Sequence, residues 1–94
     1  MVSDRIEMRR LTDGAVYHFL RVDADGAPVW RRADKDIVII RDARFGWVVW
    51  DREANALMGR PWDIPQAEQS DAPPHGDWVS RRGANSFVYT LVYV

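Results

Sequence analysis

The chain has 94 residues, 13 basic and 14 acidic side chains, a net charge of −1 and no cysteine. That length fits a single domain with a modest core, and the charge balance gives no general drive toward nucleic acid or an anionic membrane. Without thiols there is neither a disulfide nor a thiolate-bound metal to reinforce the fold, so stability must come from packing.

The chain reads as β from near its start to its last residue. Ile6 and Met8 alternate with charged neighbours and predict a short first strand. Thr12-Asp13-Gly14 is a turn signal. Ala15 to Val22 reads as a strand, with Val16, His18, Leu20 and Val22 on one face and Tyr17, Phe19 and Arg21 on the other. Asp23-Ala24-Asp25-Gly26 predicts a hairpin turn, because Asp-Gly supplies the positive-φ positions. Ala27 to Arg32 follows as a strand that starts at Pro28 or lies at an edge, since proline cannot donate to a ladder. After a turn at Ala33 to Asp36, Ile37 to Ile40 is β-branched throughout and reads as buried.

Ala43 to Gly46 turns the chain into Trp47-Val48-Val49-Trp50-Asp51. Arg52 to Leu57 reads either as one helical turn or as the approach to another strand. Residues 59 to 77 hold Gly59, Pro61, Pro65, Pro73, Pro74 and Gly76, and predict one long irregular loop, with Trp62 and Ile64 pinning its first part. Trp78 to Arg81 and Ser86 to Val94 are the last two strands, joined by a turn at Arg82 to Asn85. Both faces of the final strand are apolar, which predicts a central strand or one covered by a partner. The whole pattern predicts an all-β fold: an antiparallel meander of six to eight short strands in a small barrel or sandwich, with at most one helical turn.

An ordered series of short motifs runs through this pattern: Gly14-Ala15-Val16-Tyr17, Gly26-Ala27-Pro28-Val29-Trp30, Gly46 to Asp51, and Pro73-Pro74-His75-Gly76-Asp77-Trp78. The series resembles a small aromatic β-module of multidomain eukaryotic proteins, often found beside kinase, ankyrin or ubiquitin-ligase segments. The likeness covers roughly residues 14 to 80, and the strand at Ser86 to Val94 has no counterpart in it. It implies an accessory recognition module rather than an enzyme, and it transfers no catalytic residue.

Familiar chemistries find little support. Asp23 to Pro28 lacks the fifth oxygen ligand and the sixth-position glycine of a calcium loop. Two histidines, His18 and His75, are too few for zinc. No serine lies in a nucleophile elbow, and no phosphate-binding glycine loop is present. No metal, cofactor or catalytic residue is therefore expected. Three Arg pairs, Arg9-Arg10, Arg31-Arg32 and Arg81-Arg82, each put at most one guanidinium on a given face of a strand. Acidic neighbours at Asp34, Asp36 and Asp77 favour a salt-paired surface over nucleic-acid binding.

Five tryptophans, Trp30, Trp47, Trp50, Trp62 and Trp78, are the dominant feature of so short a chain. Trp30, Trp47 and Trp50 lie on strands and are expected to supply the core. Trp62 and Trp78 bracket the loop and are expected to form a working surface with His75, Arg81 and Arg31. The leading expectation is a non-enzymatic protein-interaction module, such as a small bacterial or phage-encoded inhibitor or adaptor, self-associating through its C-terminal strand. The alternative is a small-ligand or glycan-binding β domain with a pocket flanked by Trp62, His75 and Trp78. A cytoplasmic location is expected, because the first ten residues carry charges where a signal peptide is apolar, and no run of apolar residues is long enough to span a bilayer.

Overall fold

The computed structural model describes residues 4–23, 26–62, 64–82 and 85–94, apart from the side chains at 81, 82 and 85. Eight strands follow one another: β1 Arg5–Arg10, β2 Val16–Arg21, β3 Trp30–Arg32, β4 Ile37–Asp42, β5 Gly46–Asp51, β6 Ala56–Pro61, β7 Gly76–Arg82 and β8 Asn85–Tyr93. Each pairs antiparallel with the next, and β8 pairs back onto β1, closing the meander into an all-β barrel. Every strand thus has a ladder on both sides, which removes the exposed edges that an open sheet presents. The C-terminal strand is central in this sense: Leu91 pairs with Gly76 on one side and with Met8 on the other. Edge-to-edge association through β8 is therefore closed off, and only its outward face remains for a partner.

Alternation along each strand decides what lies inside. Ile6, Met8, Phe19, Trp30, Ile39, Trp47, Trp78 and Leu91 form the buried cluster, and register brings them face to face. Met8 lies opposite Tyr17 and Leu91, Ile6 opposite Phe19 and Tyr93, and Trp30 opposite Ile39. Trp30 and Trp47 meet edge to face, with ring centroids 6.0 Å apart at 72°, an arrangement their quadrupoles favour. Val38 on β4 and Val48 on β5 lie outside the alternating inward set yet are also fully buried; of the β-branched run Ile37 to Ile40, the first three residues are buried and Ile40 is half-buried.

The boundaries differ from the sequence expectation at β3, which spans Trp30–Arg32 instead of starting near Ala27, and along the long loop. Residues 52–55 turn directly into β6, as the strand reading of Arg52 to Leu57 has it, and a 3-10 turn lies at Gln66–Glu68. The irregular loop is shorter than 59–77, because Gly59, Arg60 and Pro61 pair with Ser80, Val79 and Trp78. Gly59 permits that pairing: a Cβ there would stand 2.9 Å from the carbonyl oxygen of Val79. A bulge between Val49 and Trp50 shifts the register of β5 against β6 and bends the wall there. The expected hairpin turn at Asp23 to Gly26 includes residues 24 and 25, which lie outside the described residues.

Candidate functional site

The two ends of the barrel are built differently. Residues 64–75 lie at the end where β6 stops and β7 starts, and the barrel's own aromatics hold them there. The indole Nε1 of Trp47 donates to the Ser70 carbonyl at 3.0 Å, and that of Trp78 to the Pro74 carbonyl at 2.9 Å. The Tyr93 hydroxyl donates to the Pro73 carbonyl, and Pro73 is itself fully buried. Gln69 ties the segment twice, accepting from the Trp47 backbone N–H at 2.8 Å and donating to the Ile64 carbonyl at 3.0 Å. The buried Trp47 and Trp78 indole N–H groups thus each find a loop carbonyl, and the loop acts as a plug.

The opposite end, where β1 turns into β2 and β3 into β4, opens into the interior. It holds a cavity of about 190 Å³ walled by apolar side chains, among them Met8, Phe19, Val49, Met58 and Trp78. Space is left there because Gly59 and Ser80 face each other in register, two small residues where the neighbouring layer carries Trp78 and Tyr89. An eight-stranded barrel has an interior that is either filled by side chains or able to hold one small ligand. This chain does both, with the plugged half filled and the other half hollow.

The rim of the hollow half is aromatic and cationic. The Arg32 guanidinium lies 4.2 Å from the centroid of the Tyr17 ring. Arg10 approaches the other rings of the rim, at 5.8 Å from Tyr17 and 5.3 Å from Phe87, and its Nη1 donates to the Tyr89 hydroxyl at 3.4 Å. Both guanidiniums are mostly covered, at 20% and 14% side-chain exposure. Each presents its Nε–Nη2 edge to a turn carboxylate: Arg10 to Asp13 at 2.9 and 2.8 Å, and Arg32 to Asp34 at 2.5 and 3.0 Å. The hydrogen bonds from Arg10 hold the Asp13 carboxyl at about 2, well below the ordinary 3.8, and those from Arg32 lower Asp34 in the same way. Both carboxylates are ionised at neutral pH, and the Arg32 guanidinium lies over the Tyr17 ring as a cation–π pair.

The structure distributes the sequence candidates over different surfaces. Trp78 is 2% exposed and belongs to the interior, since its register opposite Pro61 and Tyr89 turns it inward. Trp62 is 63% exposed, outside the barrel, and lines a separate groove with Phe45, Arg60 and Ile64. The loop is pinned through Trp47, Trp78 and Tyr93 instead of through the Trp62 ring; Trp62 contributes only its backbone N–H, which donates to the Asp77 carbonyl at 2.8 Å. His75 is exposed and does not line the cavity. Arg31 points outward to Asp36 at 3.3 Å. The backbone of Arg81 lies in β7, while its side chain lies outside the described residues. Trp62, His75 and Trp78 therefore do not flank one pocket. Sequence reasoning passed over Arg10, Tyr17, Arg32 and Tyr89, although alternation held the signal: Arg10 shares a face with Met8, and Arg32 with Trp30.

Among the described residues, no group of three or more His, Asp or Glu side chains is placed to hold a metal ion, and no helix is long and apolar enough to cross a membrane. No protein-family model matches the chain, and no curated protein or solved structure matches it.

Proposed function

We propose that this chain is a small-molecule-binding barrel whose site is the hollow half of its interior. One observation carries the reading: a closed barrel is plugged at one end, while its other end holds a cavity of about 190 Å³ with apolar walls and a polar rim. That combination, an apolar interior with a few convergent polar groups, is the usual form of a ligand site. A cavity of about 150 Å³ accepts benzene, so the fitting ligand is about one substituted ring in size. The sequence had offered ligand binding as an alternative, with a different set of residues.

The test is a fragment titration followed by methyl resonances. Met8 and Met58 line the cavity. A cavity ligand should shift the Met8 and Met58 methyl signals and alter Trp78 fluorescence. Shifts confined to residues outside the barrel would count against the reading.

A protein-interaction surface is the second reading. It is favoured by the exposed Trp62, which shares a groove with Phe45; the Phe45 ring has the guanidiniums of Arg44 and Arg60 at 5.2 and 5.0 Å from its centroid. Aromatic and arginine side chains are enriched at interface hot spots. Trp62→Ala should then abolish partner capture and leave cavity titrations unchanged.

A further inference from the structure

Resting on the cavity as a ligand site, we infer that its ligand is a compact aromatic monocarboxylate, seated with the ring inside and the acid group at the rim. The rim is a donor surface. Among the described residues lining the cavity, Arg10, Arg32 and Lys35 are cationic and none is acidic. A cationic ligand would meet like charge, and a neutral acceptor would lack the charge assistance that a carboxylate gives to guanidinium hydrogen bonds.

Arg32 is the principal anchor. A guanidinium carries five N–H donors. Asp34 takes two of those on Arg32, through Nε and Nη2, so three remain beyond that pair. The Tyr17 ring beneath it and the Asp34 pair hold the group in place for a carboxylate. Asp34 and Asp13 stand in turns on the solvent side, at 62% and 53% side-chain exposure. They neutralise the two guanidiniums from outside and leave the inward side to a ligand.

Charge fixes the valence. Among the described side chains of the rim, Arg10, Arg32 and Lys35 supply three positive charges and Asp13 and Asp34 two negative ones, a net charge of +1. A single carboxylate matches that charge, while a dianion such as a phosphomonoester would exceed it. The walls set the other half of the specificity. Met8, Phe19, Val49 and Met58 offer no hydrogen bonds and would leave a hydroxyl-rich body, such as a sugar, unsatisfied.

Benzoate, benzamide and phenyl phosphate, nearly equal in ring size, separate the possibilities when titrated against the full chain by calorimetry and methyl shifts. Benzoate should bind about tenfold or more tighter than either of the others, the amount expected when charged hydrogen bonds are satisfied. Arg32→Gln should bring benzoate affinity down to near that of benzamide, and Lys35→Gln, an exposed change, should reduce the preference partially. Equal affinity for benzoate and benzamide, both shifting Met8 and Met58, would overturn the acid-group assignment and leave the cavity as a ligand site. A preference for phenyl phosphate would overturn the monoanion. If none of the three moves those methyls, the cavity reading falls and this assignment falls with it. The comparison on the unaltered chain decides the matter even if Arg32→Gln does not fold.

Discussion

Trp47 and Gln69 are joined at the plugged end of the barrel, where the Trp47 backbone N–H donates to the Gln69 side-chain oxygen at 2.8 Å. The same tryptophan gives its indole N–H to Ser70, one residue further on. A single β5 residue therefore holds the loop through both backbone and side chain. Gly46 makes this contact possible. Its φ is +81°, and a Cβ there would collide with the Gln69 amide, so glycine serves both the conformation and the space.

Gln69→Ala should therefore destabilise the fold by about 1–3 kcal/mol. The substitution leaves the Trp47 N–H and the Ile64 carbonyl without these partners in a part-buried site, and an unmet polar group of that kind costs about this much. Urea unfolding checks it. An unchanged midpoint would mean that Gln69 is decoration, and that the indole bonds alone retain the loop.

Gly59→Ala should cost a similar amount for a different reason. The added Cβ meets the Val79 carbonyl oxygen at 2.9 Å and the Ser80 Cα at 3.3 Å. These are backbone atoms of a paired strand, and they cannot move aside as a side-chain tip would. Overpacking of this kind costs about 1–3 kcal/mol. The variant should also lose volume from the cavity, because β6 must shift against β7. Chemical denaturation measures the first effect, and a fragment titration the second.

The architecture was largely legible because alternation and turn chemistry are local. Val16 to Val22 and Phe87 to Val94 assign their own faces, but these local signals leave barrel and sandwich both open, and the choice is made by the long-range pairing of β8 with β1. The site was not legible, because a cavity is made by what is missing. Gly59 and Ser80 read as a loop glycine and an ordinary strand serine until register sets them opposite each other. Trp78 misled for a related reason. Its neighbours, Gly76 and the two prolines, suggest a surface loop, yet the loop folds back so that Pro74 accepts the indole N–H from a ring inside the barrel. Arg10 and Arg32 were each read as half of a solvated pair, and only the closed interior turns them into a rim.

Acid should weaken the fold through the same rim. The folded value of Asp13, about 2, lies below its ordinary 3.8 because Arg10 hydrogen-bonds the charged form. A lowered carboxyl stabilises the folded state above the unfolded value, and that contribution is lost as pH falls from 3.8 toward 2. Asp34, Asp36 and Asp42 are lowered too, by Arg32, by Arg52 and by the Arg44 backbone N–H, and add to the same acid limb. Asp13→Asn should flatten part of that limb in a Tm-against-pH series. A parallel curve would show that the Arg10–Asp13 pair does not couple to folding.

The alkaline limb should belong to Tyr93. Burial pushes its hydroxyl from 10.0 up to about 12, and it donates to the Pro73 carbonyl as the neutral form. A raised value stabilises the fold fully below the unfolded value, and the contribution is lost as pH rises from 10 through about 12. Tyrosinate absorbance should show one late-titrating ring, absent in Tyr93→Phe. A Tyr93 that ionises with an exposed tyrosine would mean the plug does not close over it.

Ser80→Val and Trp62→Ala together separate the interior site from the outer surface. Ser80 faces the cavity opposite Gly59 and Phe87, and valine there fills space that nothing occupies. Cavity filling commonly adds about 0.5–2 kcal/mol of stability and costs function where the space is needed. The variant should therefore resist urea better while binding benzoate several-fold more weakly. Trp62, 63% exposed, should change stability by no more than about 0.5 kcal/mol when cut to alanine, with benzoate affinity unchanged. The reverse pattern, with Ser80→Val silent and Trp62→Ala losing the ligand, would move the binding site from the barrel interior to the groove beside Phe45 and Arg60.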